Sequence, residues 1–235
     1  MIERARTFAL ALLLMLPLAA QGKNAILFLG DGMGISTITA TRIYAGQLAG
    51  KPGEEHELPF DKFPNVALIK TYNTDAQVAD SAGTITAILS GEKTRIGVLG
   101  VNSSVPRGDC AAALKNELPS VLELAEEAGK ATGIVTTTRV THATPGGGYA
   151  HVPDRDWESS SAVPPESRQL GCKDIARQLI ETPHGDGPEV VLGGGRAMFL
   201  PVQAGDPEYP GIVGSRDDGR NLVEEWQQLD KRRNA

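Results

Sequence analysis

Four short apolar runs decide what this chain can fold into. "NAILFLG" (24–30), "VALIKTY" (66–72), "ATGIVTTT" (131–138) and "PEVVLGGG" (188–195) are rich in Val, Ile, Leu and Thr, and turn residues follow them. Such runs have no wet face, so they suit strands buried on both sides. Between them come helical patterns. "LPSVLELAEEAGK" (118–130) sets Val121, Leu122, Leu124 and Ala125 on one side and stops at Gly129, and "CKDIARQLIE" (172–181) spaces Ile175, Leu179 and Ile180 in the same way. Strand alternating with helix predicts an α/β fold, a mostly parallel sheet sandwiched by helices, with ligands bound where strands end and loops begin. The segment 142–171, rich in Gly, Pro, Ser and His, reads as a long structureless insert, which is either functional or disordered. The last segment, "DGRNLVEEWQQLDKRRNA", carries Leu222, Val223, Trp226 and Leu229 as a stripe that needs a surface to pack on.

At 235 residues the chain has room for one large domain or two small ones. A net charge of −6, with no basic cluster outside Lys231, Arg232 and Arg233, argues against nucleic acid as a partner. The N-terminus "MIERARTFALALLLMLPLAAQG" has the layout of a secretory signal: Arg4 and Arg6, an apolar stretch over residues 8–16, and small residues from Pro17 to Ala20. The apolar stretch is shorter than the ~20 residues of a spanning helix. Residues 1–20 are therefore expected to be a removed signal and the remainder, 21–235, to be exported to the periplasm or the extracellular space. Export bears on Cys110 and Cys172, the only cysteines. In an oxidising compartment they read as a disulfide, the alternative being two buried free thiols.

Three motifs follow strand ends. In "GDGMG" (30–34), Asp31 suits a carboxylate metal ligand at a strand tip, or else a plain turn residue. In "VADSAGT", Asp80 is a helix cap and Ser81 a first-turn residue; the small Ala82 and Gly83 let an anion approach the free N–H groups of the helix start. In "TTTRVTHATPGGGYAHVPDRDW", Thr144 offers a hydroxyl to a hard cation, His142 can bond metal-bound water, and Arg155 has the planar fork that grips phosphate. Each has an ordinary alternative: Thr144 as a loop hydroxyl, His142 and His151 as partly buried hydrogen-bonders, Arg155 paired with Asp154 or Asp156.

"LFLGDGMG", "VADSAGT", "TTTRVTHATPGGGYAHVPDRDW", "VLGGGRAMF" and "GDPEYP" stand in the order and spacing of alkaline phosphatases, and the run from about residue 24 to 230 resembles the N-terminal half of such an enzyme. His142 with "RDW" is similar to the animal-type branch; a bacterial relative would also fit. The resemblance implies hydrolysis of phosphate monoesters through a phosphoserine, with two zinc ions and one magnesium. Ser81 would be the nucleophile, activated by zinc, and Arg155 would bind phosphate oxygens. Asp31 would bridge a zinc and the magnesium, and Thr144 would ligate the magnesium. Asp80 would orient Arg155 or the helix start. Cys110 and Cys172 match a disulfide of animal-type members, Glu208 in "DPEYP" matches a ligand of their calcium site, and the family's usual homodimer is implied. One departure is Ile85, where the family usually has Gly or Ala; it reads as a packing change on the helix.

The family's remaining carboxylate and its zinc-binding histidines lie in blocks resembling DHxxH, DHSH and THxGED. None occurs here, and residues 56, 142, 151 and 184 are the only histidines. Residues 21–235 are thus expected to be half of the domain and inactive alone. The alternative is a noncatalytic exported fragment with weak magnesium or phosphate binding. A phosphodiesterase or sulfatase relative is a further reading, against which Ser81 with Arg155 favours a monoester.

Overall fold

The computed structural model describes residues 24–233, with side chains described to residue 229; the expected signal segment lies outside the described residues. Residues 24–30 belong to a chain unit of their own. They hold no regular secondary structure, and Ile26 and Phe28 are exposed.

From residue 31 the order is α1 (Ile35–Leu48), α2 (Ser81–Ser90), α3 (Cys110–Ala113), α4 (Val121–Glu127), β1 (Gly133–Arg139), α5 (Ala143–Gly146), α6 (Pro165–Gln169), α7 (Ile175–Ile180), β2 (Val190–Gly194) and α8 (Leu222–Arg233). β1 and β2 pair in parallel with Gly133 opposite Val190 and Val135 opposite Leu192, then slip so that Arg139 faces Gly194. Parallel partners need a long crossover, and α5, α6 and α7 supply it. These strands fall on two of the four apolar runs. The other two, 24–30 and 66–72, are not strands. No ladder among the described residues pairs with them, and Val66 is 95% exposed. Composition reports a run's need for burial, whereas burial itself requires a partner.

The main core joins Ala82, Ile85 and Leu89 of α2 to Ile134 of β1 and Ile175 of α7. Segment 142–171 is ordered into short helices and adds Tyr149, Val152, Trp157 and Val163 to that core, so the expectation of a structureless insert is corrected. Ile85 is buried against Gly147, where an added Cβ would lie 2.6 Å from its Cγ2. The large side chain on the helix is matched by a residue with none. Cys110 and Cys172 form the disulfide, with Cα atoms 6.0 Å apart. The stripe on α8 finds its surface: Leu222 is fully buried with Val140, Ala176 and Phe199. Nearby, the fully buried Arg216 is clamped by Asp174, the N-cap of α7, and by Asp218.

Helix α4 departs from its apolar pattern. Val121 and Leu124 are about half exposed, while Glu123 and Glu126 are buried. Leu122 alone of the expected apolar side packs against the main core. Ser120 and Glu123 form a capping box, Ser120 Oγ accepting the Glu123 N–H and Glu123 Oε2 accepting the Ser120 N–H. That reciprocal pair turns the glutamate inward.

Candidate active site

Helix α2 begins at Asp80, whose backbone is extended and whose Oδ1 accepts the Gly83 N–H at 3.0 Å. Capping satisfies one of the free N–H groups of the first turn. Gly83 has no substitute there, because a Cβ would run into Asn73, whose Nδ2 also donates to Asp80 Oδ1. The second carboxylate oxygen accepts from Gly97 N at 3.1 Å and from Arg155 Nη1 at 3.0 Å. Burial raises the Asp80 pKa, but the donors from Gly83, Asn73 and Arg155 outweigh it and hold the carboxyl below its usual range. An ionised carboxylate whose two oxygens each accept two bonds is an anchor and not a base.

Arg155 arrives on the loop after α5, with its own N–H on Gly97 O. Its neighbours Asp154 and Asp156 are both taken by Arg107, at 2.8 and 2.7 Å. Arg155 therefore turns inward, contrary to the alternative that pairs it with those aspartates. Its Nη1 donates to Ser81 Oγ at 2.9 Å as well as to Asp80, and its Nη2 lies 3.0 Å from His142 Nε2. A guanidinium can only donate, so His142 Nε2 accepts and the ring hydrogen sits on Nδ1. Burial, and then the Arg155 charge, push the His142 pKa down, which fits a neutral ring.

His142 Nδ1 is buried without a partner and lies 3.8 Å from Asp31 Oδ2. Thr144 Oγ1 donates to the same oxygen at 2.7 Å. Asp31, Thr144 and His142 are thus gathered on one side of Arg155 and Ser81 on the other, linked through the His142 ring. A carboxylate and a hydroxyl held together beside an unpartnered ring N–H are the kind of oxygen donors that a hard divalent cation takes. This donor set fits magnesium. Zinc finds fewer donors: His142 Nε2 is already committed, so around Ser81 the described residues offer it the Asp31 carboxylate and the Ser81 hydroxyl, short of the four that a zinc site takes.

The family model described as alkaline phosphatase matches residues 22–233. The chain belongs to the alkaline phosphatase family. It is 55% identical over 210 residues to the alkaline phosphatase of Gadus morhua, covering 88% of this chain and 43% of that protein. It is 52% identical over 213 residues to the tissue-nonspecific isozyme of Homo sapiens, covering 89% of this chain and 40% of that protein. The chain thus spans less than half the length of the curated relatives it matches. Among solved structures, the alkaline phosphatase of an Antarctic bacterium superposes with a TM-score of 0.57 at 24% identity, over 84% of this chain and 43% of the other. The cold-active enzyme of a Shewanella species gives 0.56 at 23%, over 86% and 39%. These two likenesses bear on the fold alone, and they agree with the α/β architecture.

Glu208 stands apart from this cluster, exposed and ion-paired to Arg196 at 3.2 Å. Among the described residues no group of three histidine, cysteine or carboxylate ligands forms around it. His151 proves to be the buried hydrogen-bonder of its alternative reading, set between Gly100 O and Glu123 Oε1 at 2.7 Å each. Burial lowers its pKa, yet the bonds to Glu123 and Gly100 win and raise it. Reading the sequence missed Asn73, Gly97 and Arg107, which hold Asp80 and free Arg155. It also missed Glu158, which accepts two bonds from Arg139 at the end of β1 and one from Thr141 beside His142. Asn73 and Gly97 carry no signal of their own; two aspartates flanking one arginine at 154–156, one carboxylate more than Arg155 can pair with, is the nearest thing to one.

Proposed function

We propose that this chain supplies the nucleophile and the phosphate grip of an enzyme that hydrolyses phosphate monoesters through a phosphoserine at Ser81. The observation that carries the reading is Arg155 bonded at once to Ser81 Oγ and to the ionised Asp80. A guanidinium fixed by a buried carboxylate presents its remaining N–H edge in a set direction, and a phosphoryl group resting on it sits against the serine oxygen. The first-turn N–H groups of α2 add positive potential on the same side.

Ser81 Oγ gives up its proton to solvent water as it forms the new bond to phosphorus, and the ester oxygen departs with its electron pair and takes a proton from solvent to become the alcohol. Water then splits the serine phosphate, its oxygen going to phosphate and the serine hydroxyl being restored. Asp31 and Thr144 would hold magnesium. Family resemblance extends the set to two zinc ions and, at Glu208, calcium, and a solved variant of the Antarctic bacterial enzyme has magnesium bound. Bound metal supplies Lewis acidity toward the serine and phosphoryl oxygens. No step here is routed through zinc, since the described residues offer it too few donors.

Membership in the family and the Cys110–Cys172 bond support an exported protein, periplasmic or extracellular, with residues 1–20 as signal and 21–235 as the N-terminal half of the domain; the homodimer is carried over with it. Among the described residues no helix is long and apolar enough to cross a membrane. The shortage of zinc donors favours one further statement: residues 21–235 by themselves leave 4-nitrophenyl phosphate at the background rate with zinc and magnesium present. Turnover well above background would overturn it. The function itself is tested on the full-length protein by comparing 4-nitrophenyl phosphate with the bis-ester and the sulfate. The monoester is expected to be strongly preferred; a faster diester or sulfate would contradict the reading.

A further inference from the structure

The inward turn of Glu123 has a counterpart outside the cluster around Ser81. Its Oε1 lies 2.7 Å from His151 Nε2 and 3.6 Å from His184 Nε2, and the three atoms all fall within 4.8 Å of one another. The side chains of Glu123 and His151 are 4% and 10% exposed, while His184, at 23%, leaves a way in from solvent. His184 comes from the loop between α7 and β2. That loop closes on α4 through Gly185, where the left-handed backbone (φ +54) and a Cβ position 2.8 Å from the Glu126 carbonyl oxygen both require glycine.

From this geometry we infer a second metal site, a three-ligand centre for zinc or a similar divalent transition ion formed by Glu123 Oε1, His151 Nε2 and His184 Nε2. Two imidazoles and one carboxylate with a fourth position open to water is a ligand set that tetrahedral zinc takes. Ligand atoms ~2.1 Å from such an ion stand ~3.4 Å apart; Glu123 Oε1 lies 2.7 and 3.6 Å from the two imidazole nitrogens, so the site needs the Glu123–His151 pair to open and the three side chains to shift.

The outer shell is as telling as the inner one. Each ligand is held from behind: His151 Nδ1 faces Gly100 O at 2.7 Å, His184 Nδ1 faces Glu127 Oε1 at 2.6 Å, and Glu123 Oε2 accepts the Ser120 N–H at 2.7 Å. A carbonyl or carboxylate on the far ring nitrogen orients the imidazole for binding through Nε2, and at His151 the metal would displace the proton that Nε2 now shares with Glu123 Oε1. A capping box explains Glu123 Oε2, and a buried histidine–glutamate pair explains His151. Neither explains why His184 is brought to the same oxygen with its own carboxylate behind it. The site shares no residue with the one at Ser81. It ties α4, the loop after α5 that carries His151 and the loop between α7 and β2 together, a cross-link that stabilises the folded chain.

The test is zinc stoichiometry by equilibrium dialysis and elemental analysis, with cobalt(II) absorption in the visible as a second readout. Wild-type chain, His184→Ala, Glu127→Gln and, as control for the other site, Asp31→Asn are compared. His184→Ala is expected to lose one equivalent of tightly held zinc and the cobalt band, and Asp31→Asn to keep both. Glu127→Gln, a change at an exposed side chain, is expected to weaken that equivalent by about 10- to 100-fold, as loss of an outer partner does. Equal zinc content and an unchanged cobalt spectrum in wild type and His184→Ala would overturn the site, leaving the cluster as a histidine–carboxylate pair alone.

Discussion

Replacing Asp80 with Asn removes one charge and changes the shape of the side chain hardly at all, so its effect isolates what the carboxylate does. In the folded chain Asp80 accepts four bonds: Gly83 N and Asn73 Nδ2 on one oxygen, Gly97 N and Arg155 Nη1 on the other. An amide can keep only one of these pairs. If its oxygen stays with Gly83, its NH2 confronts two donors, losing a charge-assisted bond of about 1.5–3 kcal/mol and stranding the Gly97 N–H at a further cost of about 1–3 kcal/mol. If it flips, it keeps Arg155 but forfeits the cap, about 1 kcal/mol, and a second bond of similar size. The expected destabilisation is therefore about 2–6 kcal/mol. With a urea dependence of about 2 kcal/mol per M, the unfolding midpoint followed by far-ultraviolet circular dichroism should fall by about 1–3 M at constant slope. Combining Asp80→Asn with Arg155→Met should show a coupling of about 1.5–3 kcal/mol in a double-mutant cycle. A single-variant loss under about 0.5 kcal/mol would refute the anchor, and with it the claim that Arg155 is held in place for phosphate.

Three other outcomes follow from the same structure. Arg155→Ala in the full-length protein should raise the inhibition constant of inorganic phosphate about 10- to 100-fold, more than it lowers kcat; an unchanged phosphate constant beside a lost kcat would count against the grip. Cys110→Ser with Cys172→Ser opens a loop of 62 residues' separation, worth about 4 kcal/mol in chain entropy, and calorimetry should show the corresponding loss unless the reduced chain stays compact. Glu181 is partly desolvated, which raises its pKa, but Arg177, Arg220 and Lys173 together bring it down to about 2. A depressed carboxylate stabilises the fold above its unfolded pKa and loses that contribution as pH falls, here between about 4.5 and 2. Solvent screening reduces the effect to about 1 kcal/mol. Glu181→Gln should flatten the acid limb of a stability–pH curve in that window, and an identical limb would disprove the role.

What could be read from the sequence was local chemistry. Asp80 as cap, Ser81 in the first turn and Arg155 on a loop each follow from residue type and neighbours, and the disulfide from two cysteines in a chain whose N-terminus has the layout of a secretory signal. The runs at 131–138 and 188–195 find each other as strands, whereas those at 24–30 and 66–72 have the same composition and no partner among the described residues. Pairing is a property of two segments, so one segment's pattern cannot report it. Helix α4 fails for a related reason. Its period is right, but the Ser120 capping box turns Glu123 inward, and His151 and His184, residues distant in sequence, meet it there. Arg107 escaped notice because its part is to occupy Asp154 and Asp156 so that Arg155 need not.

The most direct measurement is the site of covalent phosphate. Full-length protein incubated with labelled phosphate donor, quenched in acid and mapped by mass spectrometry should carry the label on the peptide containing Ser81, and Ser81→Ala should carry none. Label on another residue, or label persisting in Ser81→Ala, would contradict the account.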